Sequence, residues 1–154
     1  MSKFDLRGLG VALITPFKED NSIDYEALSR LVQFHLESGT DYIVALGTTA
    51  ETPTLSKKEK HEVVRFIVEQ VNGKIPVVMG IGGNNTADLV SDLESTDFSG
   101  ISAILSVTPY YNKPTQEGIY NHFKAVAEST TCDIMLYNIP IFVGVNMEAE
   151  TVKR

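Results

Sequence analysis

Residues 42–51 read Tyr42-Ile43-Val44-Ala45-Leu46-Gly47-Thr48-Thr49-Ala50-Glu51. Residues 42–46 are apolar on consecutive positions, and Gly47 closes the run. That pattern is a strand buried on both faces, the kind found in parallel sheets covered by helices. Ligands in α/β folds bind at the carboxyl ends of such strands. Two adjacent hydroxyls with fresh backbone N–H groups stand at this one, and together they suit a small carboxylate. The same turn also has a local reading, in which the hydroxyls only satisfy the backbone.

Outward from this junction, strand-like and helix-like segments alternate with no domain linker, so the 154 residues read as a single domain. The first strand is Gly10 to Ile14, stopped by Thr15-Pro16 because proline cannot continue a ladder. Asp24 caps a helix with Leu28, Leu31, Val32 and Leu36 at helical spacing, and Gly39 ends it. Ser56-Lys57-Lys58-Glu59 is a capping box, and its helix buries Val63, Val64, Ile67, Val68 and Val71. Further strands are read at Pro76–Gly80, Ile101–Val107 and Asp133–Tyr137. Further helices carry Leu89, Val90 and Leu93, then Ile119, Phe123 and Val126, and another begins near Met147.

Two architectures suit five β/α repeats. One is a flavodoxin-like open sheet, which the chain length favours. The other is a (β/α)8 barrel represented by about five of its units, since a complete barrel takes about 250 residues.

Bulk properties exclude several classes. A net charge of −7 argues against nucleic acid and against anionic membrane surfaces. Cys132 is the single cysteine, so the chain has no internal disulfide and fits a reducing cytoplasm. The start, Met1-Ser2-Lys3-Phe4-Asp5, lacks the apolar region of a signal peptide. No apolar run approaches the roughly 20 residues that span a bilayer. His35, His61 and His122 fall in separate helices with no ligand spacing, so no metal site is expected.

The loops argue against the open-sheet functions. A flavin phosphate needs a small, Ser/Thr/Gly-rich turn after the first strand. Here that turn is Thr15-Pro16-Phe17-Lys18-Glu19-Asp20, bulky and acidic. A phosphoacceptor site needs clustered aspartates at strand ends, where this chain has Thr15 and Gly80. The ends of strands two, four and five instead supply hydroxyls: Thr48 and Thr49, Tyr110 and Tyr111, and Tyr137. Tyrosine can pass a proton when neighbours stabilise the phenolate or relay its proton.

These motifs carry a resemblance. Gly47-Thr48-Thr49-Ala50-Glu51 resembles the G-x-T-G-E signature of the dihydrodipicolinate synthase / N-acetylneuraminate lyase family. Pro109-Tyr110-Tyr111-Asn112-Lys113-Pro114 is similar to its P-Y-Y-N-[KR]-P motif, followed in place by Gln116-Glu117-Gly118. Tyr137-Asn138-Ile139-Pro140 matches its Y-N-[VI]-P, and Gly10 to Phe17 its first strand and turn. The resemblance implies a (β/α)8 barrel and a class I aldolase, in which a lysine amine forms a Schiff base with pyruvate. It implies that Thr49 and nearby N–H groups hold the pyruvate carboxylate and that Thr48 relays protons. Tyr137 would be the acid/base group over the imine, and Tyr111 would reach into the site of a neighbouring subunit. In the synthase, pyruvate condenses with aspartate semialdehyde on the route to lysine. No metal or organic cofactor is implied, and a homodimer or homotetramer is.

Two departures stand beside the matches. The family's Schiff-base lysine belongs at the end of a sixth strand, roughly ten residues beyond Arg154 by the strand repeat. Lys3, Lys18, Lys57, Lys58, Lys60, Lys74, Lys113, Lys124 and Lys153 stand at no equivalent position. The synthases also usually continue Y-N-V-P with x-R-T-G, where this chain has Ile141-Phe142-Val143-Gly144. Phe142 replaces an arginine that would receive the second substrate's carboxylate, and it has no donor to offer. Four expectations therefore coexist: the N-terminal, pyruvate-binding part of a synthase-type aldolase; another pyruvate aldolase of the family, resembling the N-acetylneuraminate lyases, which also lack this arginine; a catalytically incompetent half-barrel; and a self-associating scaffold. The last follows from edge strands that would be left unpaired.

Overall fold

A computed structural model describes residues 5–154. The reading of Met1 to Phe4 as free of a signal segment lies outside the described residues, as does Lys3. The chain divides into two compact units, residues 1–80 with 100–103, and residues 81–99 with 104–154.

The first unit holds strands β1 (Gly10–Ala12), β2 (Tyr42–Ala45) and β3 (Val77–Gly80), with helices α1 (Tyr25–Glu37) and α2 (Lys57–Val71). β2 pairs in parallel with both β1 and β3, with Val11 opposite Ile43 and Val44 opposite Val78. This order decides between the two architectures. A flavodoxin-like sheet puts β2 at the edge and β1 beside β3. Here β2 is central and strand order follows chain order, as a barrel requires. The length argument for an open sheet gives way to this pairing.

Both helices begin where the sequence provides a cap. Asp24 Oδ1 accepts the Ala27 N–H at 2.9 Å. Ser56 and Glu59 close a reciprocal capping box. Gly39 has φ +76 after α1, the left-handed stop that glycine supplies without strain. Leu28 and Val32 of α1, and Val63, Val64, Ile67 and Val71 of α2, are buried. So are Ile43, Val77 and Val78 on the strands. Each such side chain contributes about 1.5–3 kcal/mol of burial. Tyr25 and Phe66 meet at 5.0 Å between ring centroids and link α1 to α2.

The second unit holds β4 (Ala103–Val107) and β5 (Ile134–Tyr137), parallel, with Ser106 opposite Leu136 and Val107 opposite Tyr137. Its helices are α3 (Thr86–Ser95), α4 (Gln116–Glu128) and two short ones, α5 (Pro140–Val143) and α6 (Ala149–Val152). Asn85 caps α3 and Thr115 caps α4 through their side chains. Ile104 of β4 packs with Leu89 and Leu93 of α3 and Val126 of α4. Ile119 and Phe123 of α4 pack with Met147.

The strands are shorter than the apolar runs suggest. The first ends at Ala12, although Leu13 N–H still donates to Val44 O at 3.0 Å. The fourth begins at Ala103 rather than Ile101, and the helix expected near Met147 begins at Ala149. At the two strands both burial and bonding continue past the assigned ends: Leu13, Ile101 and Ser102 are buried, and Ser102 N–H donates to Val77 O at 2.8 Å. The α5 turn was not expected; Pro140 at its first position, with φ already helical, is its signal.

Candidate active-site loops

In the first unit, Leu46 leaves β2 with φ +55, and residues Thr48–Ala50 form a 3-10 turn. A left-handed, buried leucine is costly. The neighbouring strand makes room for it. A Cβ on Gly80 would lie 2.2 Å from Leu46 O and 2.9 Å from Gly47 N, so only glycine lets the two backbones approach this closely.

The hydroxyls around the turn divide into two sets. Thr15, buried, donates to Ala50 O at 2.9 Å. Thr52 donates to Gly47 O at 2.9 Å, and Thr54 to Glu51 O at 2.8 Å. These three serve the backbone. Thr48 and Thr49 are exposed, and among the described residues their hydroxyls have no partner. Their N–H groups open the 3-10 turn, where no carbonyl of that turn reaches them. The local reading thus fits Thr15, Thr52 and Thr54, and leaves Thr48 and Thr49 available. Glu51 ends the turn with φ +54, and its carbonyl accepts the Thr54 N–H.

In the second unit, Tyr137 ends β5, half-buried. Its carbonyl accepts the N–H of the buried Thr108 at 3.1 Å, which joins the ends of β4 and β5. After β4 comes the loop 108–115. Tyr110 is 41 % exposed and Tyr111 86 % exposed, with φ +71 at Tyr111 and +49 at Lys113. Asn112 Nδ2 donates to Asn84 O at 3.0 Å.

Two amides that the motifs contain, but to which no role had been assigned, lock the chain after Tyr137. Asn138 Oδ1 accepts the Met147 N–H at 3.0 Å, and its Nδ2 donates to Asn146 Oδ1 at 2.8 Å. Gln116 Nε2 donates to Asn146 O at 2.7 Å, while its Oε1 accepts from Glu148 N–H and Thr151 Oγ1. Val143 anchors α5 in the interior, whereas Ile141 and Phe142 face outward, 85 % and 78 % exposed. Residues 138–144 include no cation.

Among the described residues no lysine lies on a strand. No group of three His, Cys, Asp or Glu side chains is disposed to hold a metal there, and no helix is long and apolar enough to cross a membrane. His122, set aside in the sequence, is buried on α4 with Nδ1 hydrogen-bonded to Thr86 Oγ1 at 2.8 Å. Burial holds its pKa below the usual histidine value.

Parallel β/α repeats in barrel order, with hydroxyls on the carboxyl-terminal loops, define a class of enzyme scaffold. Comparison with known proteins narrows it. The sequence model of the Dihydrodipicolinate synthetase family matches residues 5–154, and the chain belongs to that family. It is 58 % identical over 154 residues to the 4-hydroxy-tetrahydrodipicolinate synthase of Parabacteroides distasonis, covering all of this chain and 52 % of that protein. The structure of the synthase from Methylacidiphilum fumariolicum SolV superposes with a TM-score of 0.92 at 43 % identity, over 97 % of this chain and 50 % of that one. The chloride-inhibited synthase of Acinetobacter baumannii, solved with pyruvate, gives 0.92 at 42 %, over 96 % and 50 %. The fold is that of the (β/α)8 barrel, here as five β/α repeats. The chain spans about half the length of the curated relatives it matches.

Proposed function

We propose that this chain supplies the pyruvate-binding and proton-handling loops of a Schiff-base aldolase of the 4-hydroxy-tetrahydrodipicolinate synthase type. That enzyme would be cytoplasmic and would condense pyruvate with aspartate semialdehyde in the diaminopimelate route to lysine. The carrying observation is the division of the threonines: Thr15, Thr52 and Thr54 are spent on the backbone, and Thr48 and Thr49 are not.

In this reading the Thr49 hydroxyl and the opening N–H groups of the turn receive the pyruvate carboxylate, as charge-assisted hydrogen bonds favour. Thr48 passes a proton between tyrosines. Tyr137 is the acid/base group over the imine carbon. Tyr111, exposed on a left-handed backbone, extends into a neighbouring subunit's site in a homodimer or homotetramer. The amine nucleophile is a lysine outside these 154 residues. Self-association also suits the outer edges of β1 and β5, beside which Leu9, Ile14 and Leu136 are exposed.

Phe142 favours a second reading of the acceptor. An exposed phenylalanine binds no carboxylate, so a lyase-type member of the family, similar to N-acetylneuraminate lyase, fits that position. A chain that holds pyruvate without turning it over is the third.

Pyruvate titration followed by amide NMR tests the first claim. Thr48 and Thr49 amides should shift in the wild-type chain and stay still in Thr49→Val. Unmoved wild-type amides would end the pyruvate reading. Borohydride treatment with pyruvate tests the second: the 154-residue chain should gain no reduced-imine mass, and a gain would place the nucleophile among its own lysines.

A further inference from the structure

The loop after β4 is held against its own preference. Tyr111 and Lys113 have left-handed backbones, which residues with a Cβ adopt at a cost. Tyr111 is 86 % exposed, so packing of its ring does not hold it there. Such conformations persist where the surroundings over-determine them. Within the loop, Asn112 N–H donates to Tyr110 O at 2.9 Å. The side-chain bond that ties its strained centre to another segment runs from Asn112 Nδ2 to Asn84 O, at 3.0 Å.

Asn84 stands two residues before Thr86, the first residue of α3. Thr86 Oγ1 is bonded at 2.8 Å to Nδ1 of His122 on α4, which is 3 % exposed. Ile104 of β4 packs with Leu89, Leu93 and Val126. His122 precedes Val126 by about one turn, and Thr86 precedes Leu89 by about one turn. Strand and helix run in opposite directions in a β/α repeat. Thr86 and His122 therefore lie toward the carboxyl end of β4 from that apolar cluster, as does Ser106, which follows Ile104 on the same face of the strand. Among the described residues, His122 Nε2 and Ser106 Oγ are buried without a hydrogen-bond partner. A buried imidazole with one nitrogen unmatched is a poor filler for an apolar layer, where leucine costs less. What it supplies is a fixed point for Thr86.

We propose that His122 is a positioning residue: through Thr86 and the Asn84 carbonyl it anchors the Asn112 side chain and so holds Tyr111 in its left-handed, outward conformation. Its bearing on catalysis rests on the role given to Tyr111 above; the anchoring does not.

The test uses the 154-residue chain without pyruvate. It follows the intraresidue amide-to-Hα NOE of Tyr111, strong at positive φ, and exchange of the Asn112 side-chain amide. His122→Leu should keep the fold, weaken the NOE and speed that exchange about tenfold. His122→Gln, which can still bond Thr86, should restore most of both. Asn112→Ala should weaken the NOE with the α3–α4 layer untouched. If His122→Leu does not fold, Thr86→Val removes the same bond from the other side and is read in the same way. A Tyr111 signature unchanged in His122→Leu or Thr86→Val overturns the proposal, as does one unchanged in Asn112→Ala. A loop released by His122→Leu, in a chain whose wild-type Thr48 and Thr49 amides ignore pyruvate, would refute the pyruvate reading and leave the anchor standing.

Discussion

The turn after β2 and the loop after β4 both lead the chain off a buried strand through left-handed residues, and both carry hydroxyls assigned to the site. They are held in different ways. The β2 turn is fastened by three threonine hydroxyls and by the close approach of Gly80. Its two free hydroxyls sit on a backbone with little room to move. The β4 loop is tied at its centre, among the described residues, by a side-chain bond to Asn84, and presents Tyr111 to solvent. A group that must meet a small fixed anion benefits from a rigid mount, because reorganisation is then avoided when charge develops. A group that completes another subunit's site benefits from projection.

The largest expected effect breaks the rigid side. Gly80→Ala puts a Cβ 2.2 Å from a backbone oxygen that cannot turn aside, and should cost about 3 kcal/mol in urea unfolding. The matching change beside the β4 loop is Gly144→Ala. There the nearest atom is the flexible Lys113 Cε at 3.1 Å, and the cost should be near the left-handed penalty, about 1 kcal/mol. Equal costs would remove the distinction between the two mounts.

Thr15→Val comes next. It deletes a buried hydroxyl and leaves Ala50 O unmatched, so about 1–2 kcal/mol should be lost. The amides of Ala50 and Glu51, whose bonds to Gly47 O and Thr48 O close the turn, should also exchange faster. A stability loss with those amides unchanged would mean that Thr15 supports the core and not the turn.

The sequence made some of this legible and hid the rest for a physical reason. Asp24, Ser56 with Glu59, and Gly39 act within three or four residues of themselves, and each was read correctly. Thr48, Thr49, Tyr111 and Tyr137 are candidates because they stand at strand ends or in the loops that follow them, which apolar runs mark. What local pattern cannot show is contact at a distance. Thr15 meets Ala50 across 35 residues, His122 meets Thr86 across 36, and Gly80 reaches Leu46 from the next strand. These are the contacts that separate the spent hydroxyls from the free ones. Length alone favoured an open sheet for the same reason, since β2 lying between β1 and β3 is a pairing and leaves no local mark; the motifs at the strand ends were what pointed to the barrel.

The β4 side carries a pH dependence of its own. Burial lowers the His122 pKa from 6.5, so the unfolded chain binds the proton more readily than the folded one. His122 therefore leaves stability at its plateau above pH about 6.5 and reduces it as pH falls toward the lower folded value. The carboxylates of Asp20, Glu59, Asp97 and Glu117 shift the opposite way, held down by hydrogen bonds from Ser22, Ser56, Ser99 and Arg154. Their contribution is lost only below their ordinary values of 3.8 to 4.5. Urea midpoints between pH 7 and 5 should thus fall in wild type and flatten in His122→Leu. A slope that survives the substitution would assign it to other groups.

The smallest effect on stability is the sharpest on the comparison. Thr49 and Thr52 are three residues apart in successive 3-10 turns, with the same side chain. Thr52→Val removes a hydroxyl that donates to Gly47 O at 2.9 Å, and should cost about 1 kcal/mol. Thr49→Val removes one that bonds nothing in the described chain, and stability should move by less than about 0.5 kcal/mol. Pyruvate binding should show the reverse order, lost in Thr49→Val and weakened in Thr52→Val only as far as the turn loosens. If both substitutions cost stability alike, Thr49 is one more backbone fastener. If both spare pyruvate, the carboxylate rests elsewhere. Only the crossed result, one threonine for the fold and its neighbour for the ligand, keeps the β2 turn as a rigid mount with its working groups held apart from the groups that build it.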